Sequence, residues 1–368
     1  MSSTAISSKP SGRLLELLGP STGGIRRHVA VLAQMLNERG WDATVAGPDG
    51  VVDGLGVAAE VVSVPASMSP RQLLTACRQL RSLGRFDLVH AHGLKAGWVA
   101  VLARPRGPIV LTIHNVVLDE VAGASAAVQR RLERLLIGRV DQVIAVSPEI
   151  VRHFAGVVVG DRIRFVIPAS PAPVPRRSRS EVRFGLGISS DAVLVVVVAR
   201  LHPQKDLPMF IEAWAQVAAR HPDARAVIVG GGPLHDELAG LVRSRGLGGS
   251  LQLIGASDHA VDELSAGDIM ALSSRWEGAP LVVAEAMQLG LPIVSTDIGV
   301  VAEMVGNGGC IVEVGDSHAL ADGLSAYIES WELREGAGLI SRERGTVIYG
   351  AGPLVDEITG IYQEVLAR

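Results

Sequence analysis

The chain has 368 residues, 48% of them hydrophobic and 20% charged, with a formal net charge of −4. That is longer than a single hydrophobic core usually grows, so two domains are expected. The longest apolar run, 192–199, is far too short to cross a bilayer, and no charged-then-apolar leader opens the chain, so a cytoplasmic protein without a nucleic-acid partner is expected.

Residues 1–11 read as a polar, disordered tail. From there, short Val/Ile/Leu-rich runs alternate with amphipathic helical stretches, the pattern of parallel sheets covered by helices on both faces. Strands are expected at 14–18, 43–46, 59–64, 88–91, 109–113, 142–146 and 164–167. A Pro/Ser/Arg segment at 168–180 cannot pack a core and reads as a linker. A second series follows at 193–199, 225–229, 251–254, 269–272, 293–295 and 309–312. The last helix, from about 353 to 367, puts Leu354, Val355, Ile358, Ile361, Tyr362, Val365 and Leu366 on one face that must dock on something apolar. The expected fold is therefore α/β, two Rossmann-like doubly wound parallel-sheet domains facing across a cleft, with chemistry at the strands' carboxyl ends. Cys77 and Cys310 lack metal or redox spacing and fit a reducing compartment.

Charge is divided unevenly. Up to Ser170 there are 19 Lys+Arg against 13 Asp+Glu, and after it 15 against 25. The basic half suits an anionic partner or is simply a solvated face.

Four groups of residues carry the chemistry. In 273–287, Pro280 suits the first turn of a short helix, and Gly290 with Pro292 suits its stop. Glu277 then lies in the preceding loop and Glu285 faces inward from the helix, while Gly278, Ala279, Pro280, Leu281 and Val282 surround a helix start whose free N–H groups and dipole suit phosphate oxygens. Gly23 and Gly24 join the first strand to a helix, either as a backbone approach to an anion or as an ordinary turn. Arg200 ends a very apolar strand and Lys205 follows five residues later, both charges suited to a diphosphate leaving group. His114 ends the strand at 109–113.

Gly23-Gly24-Ile25-Arg26-Arg27-His28-Val29, Thr112-Ile113-His114, Arg200-Leu201-His202-Pro203-Gln204-Lys205 and the Glu277/Glu285 pair, in this order, make the chain resemble the retaining glycosyltransferases of family 4, which have the GT-B architecture. The resemblance runs from about Leu14 to the last helix. It implies an acceptor-side domain at 12–170, a nucleotide-sugar domain at 181–350, and a final helix, 353–368, packed back on the first. It implies that Arg200 and Lys205 stabilise the leaving diphosphate, that Glu285 accepts from the ribose hydroxyls, that Glu277 lies near the transferred sugar and that His114 lies against it. Gly230, Gly232 and Ile254 would border the nucleobase.

The resemblance also implies a nucleotide-sugar donor, UDP- or GDP-linked, a glycan, lipid-linked or small-molecule acceptor, and no cofactor or essential metal. Two departures stand out: Gly299-Val300 where relatives often carry two glycines, and Asp206 where a glycine usually follows the lysine, read here as a helix cap. On the acceptor side the candidates are Arg26, Arg27, His92, Lys95 and the 128–139 stretch. There Arg130, Arg131, Arg134 and Arg139 either meet anionic lipid at the inner face of the cell membrane or are solvated. A sugar-nucleotide epimerase and a non-catalytic nucleotide-sugar binder are the alternatives. A phosphorylase would need a pyridoxal lysine and a much longer chain.

Overall fold

The computed structural model describes residues 12–21, 24–67, 69–114, 126–158, 160–168, 172–257 and 259–368. The chain divides into two compact units, Met1–Ala169 together with Ala351–Arg368, and Ser170–Gly350.

The first unit is built on seven parallel strands: β1 (Arg13–Leu18), β2 (Asp42–Gly47), β3 (Ala59–Val61), β4 (Leu88–His92), β5 (Ile109–Ile113), β6 (Gln142–Ala145) and β7 (Ile163–Phe165). Their order is β3-β2-β1-β4-β5-β6-β7, so the winding reverses between β1 and β4. The second unit has six, β8 (Leu194–Val198), β9 (Arg225–Val229), β10 (Leu251–Gly255), β11 (Ile269–Leu272), β12 (Ile293–Thr296) and β13 (Gly309–Val312). Their order is β10-β9-β8-β11-β12-β13, with the reversal between β8 and β11. In open sheets of this kind the crevice at the carboxyl ends beside the reversal is where ligands bind. The doubly wound α/β expectation is met.

Both faces of each sheet are covered, which is why these strands are apolar throughout rather than alternating. In β1, Leu15 and Leu17 join the core on one face. Leu14 and Leu18 join the core on the other, where the helices Gly24–Glu38 and Ala351–Leu366 pack. Period-2 geometry therefore sends Glu16 to that second face as well. The helix Ala351–Leu366 buries Leu354, Val355, Ile358, Ile361, Tyr362 and Val365 there. It is pinned by Arg39 to Asp356 at 2.8 Å and Arg164 to Glu364 at 2.7 Å. Leu366, expected on the same face, is the last residue of the helix and is 39% exposed, although Val365 beside it is buried.

Three further readings need correction. The segment read as a linker through residue 180 is anchored to the second unit from Arg176 onward. The Arg176 N–H donates to Asp262 at 2.6 Å, and Arg177 pairs with Asp262 at 3.0 Å and Glu263 at 2.6 Å. A capping box of Ser178 and Glu181 then opens the helix Arg179–Gly185, so charge pairing holds what composition would leave loose. Pro280 is the residue before the helix Leu281–Leu289 rather than part of its first turn, whereas Gly290 stops it in the left-handed conformation, at φ +81°. Asp206 does not cap with its side chain. It adopts φ +43° where glycine would be unstrained, and its carboxylate accepts instead from Arg275 Nε at 2.9 Å.

Candidate active site

In the second unit the sequence candidates converge at the carboxyl ends of β8 and β11. A short turn at Pro203–Lys205 follows β8, and 273–280 follows β11. Backbone and side-chain bonds lock the two together: Arg275 N–H to the Gln204 carbonyl at 2.8 Å, the Ser273 hydroxyl to the Lys205 carbonyl at 2.8 Å, and Gln204 Nε2 to the Trp276 carbonyl at 3.0 Å. On this frame the Lys205 ammonium makes an ion pair with Glu277, whose carboxylate also accepts from the Ser274 hydroxyl at 3.0 Å. The two side chains are 13% and 12% exposed, enough shielding to strengthen the attraction over its value in water. Lys205 and Glu277, read from sequence as separate groups, are therefore direct partners.

Gly278 and Ala279 lead into Pro280, and Leu281 and Val282 open the helix Leu281–Leu289. The Val283 N–H donates to the Pro280 carbonyl at 3.0 Å, whereas the Leu281 and Val282 N–H groups have no partner within the helix, and its dipole puts partial positive charge there. Glu285 lies one turn deeper at 6% exposure, among Val283, Ala284, Ala286 and Met287 at 0%. The loop is held from behind by Gly299, where φ is +53° and a Cβ would lie 2.3 Å from the Gly278 carbonyl oxygen. That close approach explains why glycine stands at this position of the departing Gly299-Val300 pair.

Arg200 is exposed and, among the described residues, its guanidinium has no ion pair. Gly230 and Gly232 follow β9. At Gly230 a Cβ would meet the Ala199 carbonyl oxygen at 1.8 Å, so this strand end presses directly on the chain that leads into Arg200. Ile254 lies in β10 next to β9 and is half-buried.

In the first unit Gly24 opens the helix Gly24–Glu38; Gly23 lies outside the described residues. Arg26, read as an acceptor candidate, donates to the Val51 carbonyl at 2.7 Å and to the Asp53 carbonyl, so it braces a loop. Lys95 is exposed on the helix Leu94–Ala103.

His114 follows β5 and belongs to a buried polar cluster of which the sequence reading saw only part. Glu16 of β1, His90 and His92 of β4, Thr112 of β5 and Tyr362 of the last helix are each buried. Glu16 and His90 are register partners across the β1–β4 pair. The Glu16 carboxylate lies 2.8 Å from His92 Nε2, 2.8 Å from the Tyr362 hydroxyl and 3.2 Å from His90 Nδ1. His92 Nδ1 lies 3.3 Å from His114 Nε2, and His28 of the glycine-led helix packs edge-on to His114 with ring centroids 6.0 Å apart. His92, read as an acceptor candidate, is thus an interior group. The available signals were a lone glutamate among four leucines in 14–18 and the His-Ala-His alternation in β4.

Burial pushes the Glu16 carboxyl up, but His90 and His92 beside it outweigh burial and hold it well below the usual carboxylate range. Burial, reinforced by neighbouring His90, brings His92 down to about 3. Burial, with His92 and His28 as neighbours, holds His114 well below the ordinary imidazole value. The cluster thus favours the ionised form of the carboxyl group, and burial disfavours a charge on either imidazole. Glu16, His90 and His92 also bring three potential metal-ligand atoms within 4.8 Å of one another; the nitrogens and oxygens of these groups are engaged in the hydrogen bonds of the cluster.

Two doubly wound units of this kind define a class. Anabaena HepE in complex with UDP matches with a TM-score of 0.81 at 21% identity, over 96% of this chain and 100% of that one. A sucrose-phosphate synthase from Thermosynechococcus elongatus matches at 0.80 and 20%, over 96% and 99%. At these identities the likeness establishes the fold, which is GT-B.

The family follows from the sequence matches. Residues 178–344 match the model of the glycosyl transferases group 1, and residues 23–170 that of the glycosyl transferase 4-like domain. The chain belongs to this family of glycosyltransferases. Among curated relatives, the N-acetyl-alpha-D-glucosaminyl L-malate synthase of Bacillus anthracis is 25% identical over 76% of this chain and 75% of that protein. The alpha-D-kanosaminyltransferase of Streptomyces kanamyceticus is 29% identical over 52% and 50%. A D-inositol 3-phosphate glycosyltransferase of Actinosynnema mirum is 29% identical over 68% and 66%. The matched region thus spans from half to three quarters of these relatives' lengths.

Proposed function

We propose that the protein is a retaining hexosyltransferase that moves a sugar from a UDP- or GDP-linked donor to a hydroxyl of a glycan, lipid or small-molecule acceptor. The observation that carries this reading is the Lys205–Glu277 pair, clamped between the ends of β8 and β11 beside the start of the helix Leu281–Leu289. An ammonium and a helix N-terminus together suit a diphosphate whose charge grows as the sugar leaves. Arg200, exposed at the end of the same strand, would supply a second cation. Glu277 would meet the sugar and Glu285 the ribose hydroxyls, while Gly230, Gly232 and Ile254 would border the phosphates and base. In a retaining transfer on one face of the sugar, the leaving phosphate would take the acceptor's proton. HepE is described in complexes with UDP and UDP-glucose, which supports a nucleotide-sugar donor here.

A thermal-shift panel of nucleoside diphosphates and their sugars tests the reading. A ligand that binds only the folded state at a hundredfold excess over its Kd adds about 2.7 kcal/mol of stability, so UDP or GDP is expected to raise Tm clearly. If no nucleotide diphosphate moved Tm, the donor assignment would be lost.

With cationic side chains and a helix end in place of a metal, we propose that turnover needs no divalent ion. Exhaustive dialysis against a chelator is then expected to leave the rate unchanged, and loss restored by Mg²⁺ would contradict this.

A cytoplasmic enzyme working at an anionic membrane face is the remaining part of the proposal. Among the described residues no helix is long and apolar enough to cross a membrane. The helix Ala126–Ile137, however, exposes Val128, Leu132 and Leu135 at 63%, 42% and 41% beside exposed Arg131 and Arg134. Exposed apolar and cationic side chains on one helix suit an anionic bilayer surface. Flotation with anionic but not neutral liposomes is the expected result; equal failure with both would leave a solvated helix.

A further inference from the structure

Arg275 grips the turn that carries Lys205 on both sides of that lysine. Its backbone N–H donates to the Gln204 carbonyl at 2.8 Å, and its side-chain Nε donates to the Asp206 carboxylate at 2.9 Å. Between them the Lys205 carbonyl accepts from the Ser273 hydroxyl at 2.8 Å. Arg275 also stands two residues before Glu277, so one short stretch after β11 holds both Lys205 and its ion-pair partner. Asp206 is one of two non-glycine residues with positive φ among the described residues, at φ +43° and ψ +45°. That left-handed conformation is costly to a residue with a Cβ, and glycine is the usual choice for it. The backbone tasks of Asp206 need no side chain: its N–H donates to the Pro203 carbonyl at 3.2 Å, and its carbonyl accepts from the Met209 N–H at 3.0 Å. What glycine lacks is the carboxylate. The Asp206 side chain is 11% exposed against 66% for Arg275. An ion pair with one largely exposed member adds little to global stability, so the strained carboxylate is better explained by what it fixes locally.

We propose that Asp206 and Arg275 are positioning residues, whose pairing fixes the turn Pro203–Lys205 so that the Lys205 ammonium stands in place before a diphosphate arrives. This rests on the role given to Lys205 above and extends it to two residues that need touch no substrate. A backbone hydrogen bond on one side of the lysine and a side-chain bond on the other leave the turn little freedom to swing away. Preorganised charge acts on a leaving group without reorganising at the moment of reaction, and a small displacement of such a group forfeits much of its effect. Glycine at 206 would ease the backbone and release the second anchor. Asparagine would keep both features, since it tolerates the left-handed region and its Oδ1 accepts from Arg275.

The chain has three lysines, Lys9, Lys95 and Lys205, so the full chain grown with ¹³C-labelled lysine gives three Cε signals, assigned with Lys95→Arg and Lys205→Arg. In the wild type the two Hε protons of Lys205 should be inequivalent, as a fixed geometry beside Glu277 requires. In Asp206→Gly and Arg275→Met they are expected to collapse toward one averaged shift, and in Asp206→Asn to stay apart. Equivalent Hε protons in the wild type, or an unchanged Lys205 signal in Asp206→Gly, would overturn the proposal. Nucleotide release from UDP-glucose and from GDP-mannose gives the second readout. With whichever donor the wild type turns over, kcat should fall about tenfold in Asp206→Gly and Arg275→Met, and stay within about threefold in Asp206→Asn. Because the pair acts through Lys205, adding Asp206→Gly to Lys205→Ala should slow that variant no further. A purely structural role predicts instead that kcat follows Tm across the series and that the two losses add, and that result would overturn the proposal. Arg275→Met alters an exposed side chain and keeps the backbone bond, so the test survives poor folding of a variant at 206. A wild type that releases nucleotide from neither donor would count against the donor reading, and the lysine spectra would still decide the positioning role.

Discussion

Lys205→Ala is expected to lower kcat about 100- to 1,000-fold, the cost of removing one preorganised group from developing negative charge, roughly 3–4 kcal/mol of barrier. The ammonium is held beside Glu277 by a turn whose backbone is bonded across to the chain after β11, so it is positioned before substrate arrives and needs no reorganisation. The substitution also leaves Glu277 with the Ser274 hydroxyl at 3.0 Å and a long contact from Gln204 at 3.5 Å. Losing one partner of a shielded group costs about 1–3 kcal/mol. At ~2–4 °C per kcal/mol for a large domain, Tm should fall by several degrees while the protein stays folded. Lys205→Met, which keeps most of the aliphatic stem, separates lost charge from lost packing and should be as slow as the alanine variant. Near-wild-type kcat in a folded Lys205→Ala protein would remove this lysine from the site.

Glu285→Gln is expected to weaken nucleotide binding itself, by about 10- to 100-fold in Kd. The side chain is 6% exposed on a helix whose neighbouring residues are fully buried, so the isosteric amide should occupy the same space. What changes is chemistry. A carboxylate accepts from two hydroxyls, while a carboxamide offers one acceptor oxygen and an NH₂ group that repels a donor. Hydrogen bonds to a charged group contribute about 1.5–3 kcal/mol, which sets the expected range. Calorimetric titration with the nucleoside diphosphate measures this without an acceptor. Unchanged affinity would exclude Glu285 from the ribose subsite.

These two variants probe different moments of one reaction. Lys205 should matter most when the sugar–phosphate bond breaks, so its loss appears in kcat. Glu285 should hold the nucleotide equally before and during that event, so its loss appears in Kd and KM.

Much of the fold was legible because parallel strands buried on both faces leave a strong trace. All thirteen expected strand positions carry a strand, and the largest trimming is at β3, expected over 59–64 and observed as Ala59–Val61. The Val62 N–H still donates to the Gly47 carbonyl of β2 at 2.8 Å, and beyond it the backbone leaves the ladder while Val64 remains buried. Apolar character marks burial, and it does not mark hydrogen bonding to a neighbouring strand. The boundary near residue 176 was harder to read for the opposite reason. Arg176 and Arg177 look like solvated linker, and only the positions of Asp262 and Glu263, more than eighty residues later, make them part of the second unit.

Motif spacing alone determined that Lys205 and Glu277 stand at strand ends and that Glu285 points inward from a short helix, because local sequence sets turns, helix starts and face. It could not determine that Lys205 and Glu277 touch, since their partnership depends on β8 and β11 being neighbours, a consequence of the winding reversal. Nor could it show what lies under His114. Glu16, His90, His92 and Tyr362 come from the beginning, middle and end of the chain, and they meet because β1 pairs with β4 while the last helix closes over that face. Side-chain period within an element is a local property readable from sequence; which elements become neighbours is decided by burying apolar surface across the whole chain, and only the tertiary structure records that outcome.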